Sequence, residues 1–292
     1  MKQASAHYIK NETGICHMNP DHLGLDFIIR NIMRFFYSAL SLVLMIVSGC
    51  AGSQPARLQL TPDARIGILN VLESDMTHVD IGSLRFDSFT KVYKVDWNIP
   101  DYLTRIIEND MRARGSYTFV SLADNAPQDW KQSMSNNILN SITGWMGDEI
   151  KDFLNQTAEE NHLDLIISVS SYDSGRWPQA ACFKIANDPV ATKGYGLYTR
   201  SKALSGLSQL FSPFQNTAIP YADIVVGIFK TRPATLAGKA TAPCSKSSLT
   251  NFPWKSDLRL LGPEVIRQVR PHIERLSAEA VHNALANAGL QP

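Results

Sequence analysis

The spacing of hydrophobic positions changes several times along this chain, and each change predicts an element. Residues 65–72 form a short apolar run with β-branched members, bounded by Pro62 before it and Glu73-Ser74-Asp75 after it, which predicts a mostly buried strand. Residues 77–81 and 87–95 then alternate around Gly82-Ser83, the pattern of a hairpin. From Ile99 the period lengthens, and Leu103, Ile106, Ile107 and Met111 recur at helical spacing. Asn98 is placed to cap the free amides of that helix, Pro100 fits its first turn, and Gly115 ends it. Residues 117–122 predict a strand, 130–160 a second helical region interrupted near Gly144 and Gly147, and 163–172 a strongly apolar strand.

Between 173 and 220 the pattern weakens, with Gly194, Gly196, Gly206 and several prolines punctuating short pieces. Residues 222–230 and 235–241 flank Thr231-Arg232-Pro233-Ala234, which is hairpin chemistry. At the end, Val265, Val269, Ile273, Leu276, Ala280 and Ala284 make one helical stripe, opened by Pro263 and closed by Gly289. Strands and helices in this order, with no internal repeat, predict a single mixed-sheet α/β (α+β) domain over residues 62–292, with packed helices and a long C-terminal helix.

One apolar run belongs to none of these elements. Residues 35–47 span about thirteen positions, too short for a hydrocarbon core that needs roughly twenty helical residues. Met33 and Arg34 precede the run, and Ser48, Gly49 and Cys50 follow it, the order of charge, apolar stretch and small residues found in secretory signals. Val47-Ser48-Gly49-Cys50 resembles the lipobox of bacterial lipoproteins. That resemblance implies cleavage before Cys50, acylation of its thiol and of the new amine, and anchoring that several chains at about 0.8 kcal/mol per buried methylene make effectively permanent. Ala51 follows the cysteine where an aspartate would resemble an inner-membrane retention signal, so the family pattern implies the periplasmic side of the outer membrane of a Gram-negative cell. Residues 33–49 are then the signal peptide and 50–61, rich in Ser, Gln, Pro and Gly, a lipidated flexible tether. Residues 1–32, with His7, Cys16, Asp21 and Asp26, are too long and acidic for the basic leader of such a signal. They read as an upstream extension, with the initiator at Met33 or else at Met18. The plainer alternative for 35–47 is a buried helix, or an ordinary cleaved signal that happens to end in cysteine.

In element order the mature domain resembles the small α/β domains of envelope lipoproteins and periplasmic adaptors, among them the curli-secretion lipoprotein, the N-terminal domain of the Tol-system periplasmic protein and the lipoprotein activators of peptidoglycan synthases. The strands 65–72 and 163–172, a helix between them and the hairpin around Arg232-Pro233 carry this likeness. It implies an architecture and no activity.

Composition narrows the partners. A formal net charge of +1 offers no electrostatic footprint for a phosphate backbone, so no nucleic acid is expected, and no polybasic patch for a membrane surface. The expected contacts are the membrane, through lipid at Cys50, and an envelope protein. Setting aside Cys16 and Cys50 leaves Cys182 and Cys244, which an oxidising compartment would join in a disulfide, the alternative being two separate buried thiols. No CxxC spacing occurs, so no structural zinc site or redox motif is predicted.

Three stretches carry candidate chemistry. Glu73, Asp75, His78, Asp80 and Asp87 form a polar cluster at the end of the first strand, able to hold a divalent ion or simply to be solvated loop charges. With neither HExxH nor a calcium-loop spacing present, no metal and no cofactor is predicted. A serine hydrolase would need His78 or His162 beside a serine the sequence does not identify, because GxSxG is missing and His272 and His282 fall on the solvent side of the last helix. Residues 193–200 carry glycines that could cradle an anion, without the GxxxxGK[ST] pattern. Beside them Leu204, Leu207, Phe211 and Phe214 share helical spacing next to Tyr195 and Tyr198, either a docking patch for a partner or part of the core. The sequence therefore points to a non-catalytic, lipid-anchored binding or assembly component of the cell envelope. A tethered hydrolase or metal-dependent enzyme acting on cell-wall or lipid material is the alternative, and a plain spacer between membrane and wall a third reading.

Overall fold

The computed structural model describes residues 58–82, 88–125, 134, 138, 147–176, 181–185, 188–200, 217–249, 252–254 and 257–290. The strands are β1 (Arg65–Asn70), β2 (Met76–Ile81), β3 (Phe89–Tyr93), β4 (Thr118–Ser121), β5 (Leu165–Ser171), β6 (Lys184–Ile185), β7 (Asp188–Pro189), β8 (Gly194–Arg200), β9 (Thr217–Lys230) and β10 (Thr235–Thr241), and the helices α1 (Ile99–Arg112), α2 (Asp148–Glu160) and α3 (Pro263–Asn287). All strands but the β6–β7 pair join one mixed, curled sheet in the order β3-β2-β8-β9-β5-β1-β4, with β10 beside β9.

Chain connectivity explains the layers. β1 pairs in parallel with β4 on one side and β5 on the other, and parallel neighbours need a crossover. α1 supplies the first crossover and α2 precedes the second, and they land on opposite faces. On one face Ile66, Ile68, Ile167, Val169, Val226 and Ile228 meet Leu103, Ile107 and Met111 of α1 and Val269, Ile273 and Leu276 of α3. On the other, Leu69, Ile166, Val225 and Phe229 meet Ile150, Leu154 and Ala158 of α2, with Met134 and Ile138. β1, β5 and β9 are buried from both sides, which is why their sequences read as apolar runs instead of alternating.

Local chemistry sets the helix ends. The Asn98 side chain accepts from the Asp101 amide at 3.1 Å and donates back to its carboxylate at 2.7 Å, while Asn70, at the end of β1, donates to the Pro100 carbonyl at 2.7 Å. Strand and helix are thereby tied at one corner. Pro271 lies inside α3 on its exposed side, where the lost amide bond faces water and the buried stripe continues unbroken.

Three features differ from the sequence expectation. The chain is already docked at Leu58, whose amide bonds the Ala288 carbonyl at 3.2 Å, so 58–61 are part of the fold and not of a tether. β9 starts at Thr217 and runs through Pro220, earlier than the predicted 222. The glycine-bearing stretch 193–200 is no anion cradle: it forms β8, an interior strand between β2 and β9.

Candidate functional site

Polar side chains converge at several places among the described residues. The first is the β2 end of the sheet, on the α1 and α3 face. Pairing of β2 with β8 sets Asp80 opposite Thr199 and His78 one alternation away. The Thr199 hydroxyl lies 2.7 Å from His78 Nε2 and donates to Asp80 Oδ1. A threonine has one proton to give, and the carboxylate takes it, so the imidazole meets the hydroxyl oxygen as a donor through Nε2–H.

Phe89 stands edge-on to the ring at 5.2 Å, and the 257–261 segment shuts the site from outside, with Lys91 Nζ and the Tyr93 hydroxyl both donating to the Arg259 carbonyl. Burial drives the His78 pKa down to about 4; the Leu258 backbone opposes this and the Lys91 charge adds to it. His78 and Thr199 are 0% exposed and Asp80 4%, which sets all three inside the packed sheet. The hydroxyl proton also goes to the carboxylate and not to the imidazole, the reverse of an activated nucleophile.

The five-residue polar cluster of the sequence therefore does not assemble. Glu73 is exposed and pairs with Lys193 at 3.6 Å, Asp75 is half-buried, His78 and Asp80 turn inward, and Asp87 lies outside the described residues. Among the described residues no three His, Cys, Asp or Glu side chains group as metal ligands. His162, the other proposed base, sits in the left-handed conformation (φ 53°) just after α2 and faces solvent.

The second place is on the opposite face, at the middle of β9. Thr192 Oγ1 donates to Asp223 Oδ2 at 2.5 Å, and Ser174 Oγ lies 2.8 Å from the same threonine oxygen. Asp223 is fully buried and its Oδ1 has no partner. Burial raises its pKa to about 7, with the Thr192 bond opposing, the Asp173 charge reinforcing and the Tyr172 hydroxyl opposing. This is a hydroxyl relay without an imidazole.

The third place is open. Three depressions of about 480, 480 and 460 Å³ follow the seam between α1 and α3 and share residues, Tyr102 between the first and second and His282 between the second and third. At the shared end His282 Nε2 lies 3.1 Å from Asp110 Oδ2, beside Arg114. The spacing within α3 marks His282 only as outward-facing, and its carboxylate partner sits on another helix far away in sequence. Only the packing of α1 on α3 joins them. The described residues lining that depression, besides the pair, are Ala113, Arg114, Asn283, Leu285 and Ala286, so the pair and Arg114 can orient a polar or charged group there.

The two described residues of the proposed docking patch part company. Tyr195 is buried against Trp97, its hydroxyl donating to the Ser74 carbonyl at 2.5 Å, whereas Tyr198 is buried on the opposite face against Phe183. Strand alternation makes this unavoidable, and it removes both from any exposed patch. Leu204, Leu207, Phe211 and Phe214 lie outside the described residues, as do Val47, Ser48, Gly49 and Cys50. Cys182 and Cys244 form a disulfide across a sequence separation of 62. Among the described residues no helix is long and apolar enough to cross a membrane. No protein-family model matches the chain, and no curated protein matches it either.

Proposed function

We propose that this chain is a lipid-anchored binding or assembly component of the bacterial envelope, held by acyl chains on Cys50 with its α/β domain facing the periplasm. One observation carries the non-catalytic part: the imidazole that meets both a hydroxyl and a carboxylate, His78, is sealed from solvent and has its proton relay running the wrong way for attack. The anchoring rests on Arg34, the 35–47 run and Val47-Ser48-Gly49-Cys50, and the Cys182–Cys244 bridge fits an oxidising compartment. The seam between α1 and α3 is the open surface on which binding is best tested.

Mass spectrometry of the protein from its native host's membranes is expected to find Cys50 as an acylated first residue; a free thiol there, or a leader still attached, overturns the anchoring. A photo-crosslinking side chain at Tyr102 is expected to capture a discrete envelope protein. The hydrolase reading has one observation of its own, the exposed His282–Asp110 pair. It prevails if the purified domain turns over cell-wall or lipid material and His282→Ala abolishes that turnover.

A further inference from the structure

β5 and β8 meet β9 at adjacent positions: Ser171 lies opposite Ile224, and Gly194 opposite Asp223. The excursion 172–193 therefore leaves β9 and rejoins it within one step of register, as an insertion that the sheet itself does not need. It doubles back on itself: Asp173 bridges Lys193, the Ser174 amide bonds the Thr192 carbonyl at 2.9 Å, the Val190 amide bonds the Phe183 carbonyl at 2.9 Å, and β6 pairs with β7. Phe183 on the outgoing limb and Val190 on the returning limb both lie over Val79, Tyr198 and Tyr221 of β2, β8 and β9, with Phe183 stacked on Tyr198 at 4.1 Å and edge-on to Tyr221 at 6.0 Å. This aromatic cluster is separate from the two that hold the helices onto the sheet.

We propose that the described parts of this excursion, 173–176, 181–185 and 188–193, form a releasable strap over the Val79–Tyr198–Tyr221 face, fastened at the root by Asp223 and farther out by the Cys182–Cys244 disulfide, and freed beyond the root when that disulfide is reduced. The two fastenings differ in access. The root is internal: Ser174 on the outgoing limb and Thr192 on the returning limb are both fully or almost fully buried and are bonded to each other, and Thr192 is bonded to Asp223. The disulfide is at the surface, with Cys244 exposed and Cys182 half-buried. A dithiol reductant is expected to attack at Cys244, the more exposed of the two residues. Its thiolate forms a mixed disulfide there and expels Cys182 as a thiolate; its second thiol then displaces Cys244, leaving two chain thiols and an oxidised reductant, with two electrons and two protons transferred. Among the described residues, the outer strap is then held by Phe183 and Val190 on one small apolar cluster, a contact far smaller than either main core.

Hydrogen exchange followed by mass spectrometry on the full chain, oxidised and in dithiothreitol, tests this. Exchange at Val190 and its neighbours in 181–190 is expected to quicken about tenfold or more on reduction, with β1, β5 and the Thr192 amide still protected. The Cys182→Ser/Cys244→Ser double variant without reductant should reproduce the change, which separates it from any other effect of the thiol. In reduced Thr192→Val the deprotection should spread to Ser174 and residue 192. Unchanged exchange across 181–190 after complete reduction overturns the strap, as does loss of protection in β1 and β5 at the same rate. Retained protection at Ser174 in reduced Thr192→Val overturns the root fastening.

Discussion

Two buried side chains make opposite demands on pH. His78 has an unfolded pKa near 6.5 and a folded one of about 4, so as pH falls through that interval the unfolded chain takes up a proton the native state refuses, and stability is lost. Asp223 goes from 3.8 unfolded to about 7 folded, so the native state keeps a proton the unfolded chain has released, and stability is lost as pH rises through that interval. Between pH 4 and 6.5 the two slopes cancel. Asp223→Asn removes only the second, so its stability relative to the parent should grow with pH by about 1.4 kcal/mol per unit in that window. Urea midpoints of both proteins at pH 4.5 and 6.5 check this; parallel shifts would contradict it. Thr199→Val should cost about 2–4 kcal/mol in the same assay, since it leaves a buried imidazole N–H unpaired and takes a donor from the Asp80 carboxylate. The sequence showed His78 and Asp80 as neighbours in a polar cluster. It did not show their burial, because Thr199 reaches them only through strand pairing.

At the scale of elements, what the sequence made legible was whatever announces itself locally. α1 was readable from its stripe and its Asn98 cap, and Asn98→Ala should lower stability by about 1 kcal/mol in thermal or urea unfolding. β8 was not readable, because its glycines look like turn residues. Their real cause is a neighbour distant in the chain: a Cβ on Gly196 would fall 1.6 Å from the Thr77 carbonyl oxygen of β2. Gly196→Ala should therefore separate β2 from β8 and leave little folded protein, visible as lost near-ultraviolet circular dichroism. Gly262→Ser is the contrasting case, since a Cβ there meets nothing within 4 Å and a hydroxyl would cap α3; it should be neutral or stabilising by a few tenths of a kcal/mol. Pro220 obscured the start of β9 for a related reason. Proline usually argues against an interior strand, yet this one shares the backbone orientation of Ala218, toward the 242–249 segment. Ala242 there bonds Ile224, and Ser248 and Leu249 bond Ala218, with Pro220 in the gap between.

For the molecule as a whole, the Cys182–Cys244 bridge joins the strap to the segment following β10 and closes a loop across a separation of 62. In the chain-entropy model its loss raises the entropy of the unfolded state by the equivalent of about 4 kcal/mol. The Cys182→Ser/Cys244→Ser protein should unfold at correspondingly lower urea, with an unchanged transition in reductant, while the oxidised parent moves down to meet it. Equal midpoints for parent and double variant under oxidising conditions would show that the bridge adds no stability.

Composition, period and order along the chain determined the class of fold, the helix boundaries, the hairpins and the apolar run 35–47 that precedes Cys50. Each follows from neighbours within a few residues, and local spacing is enough to express them. Which polar groups meet was decided only by tertiary structure. Strand register brought Thr199 to His78 and Asp80, sent Tyr195 and Tyr198 to opposite faces, and set Asp223 at the root of the strap. The packing of α1 against α3 joined His282 to Asp110. These are contacts across long stretches of chain, and a one-dimensional pattern carries no record of which distant residue will stand opposite.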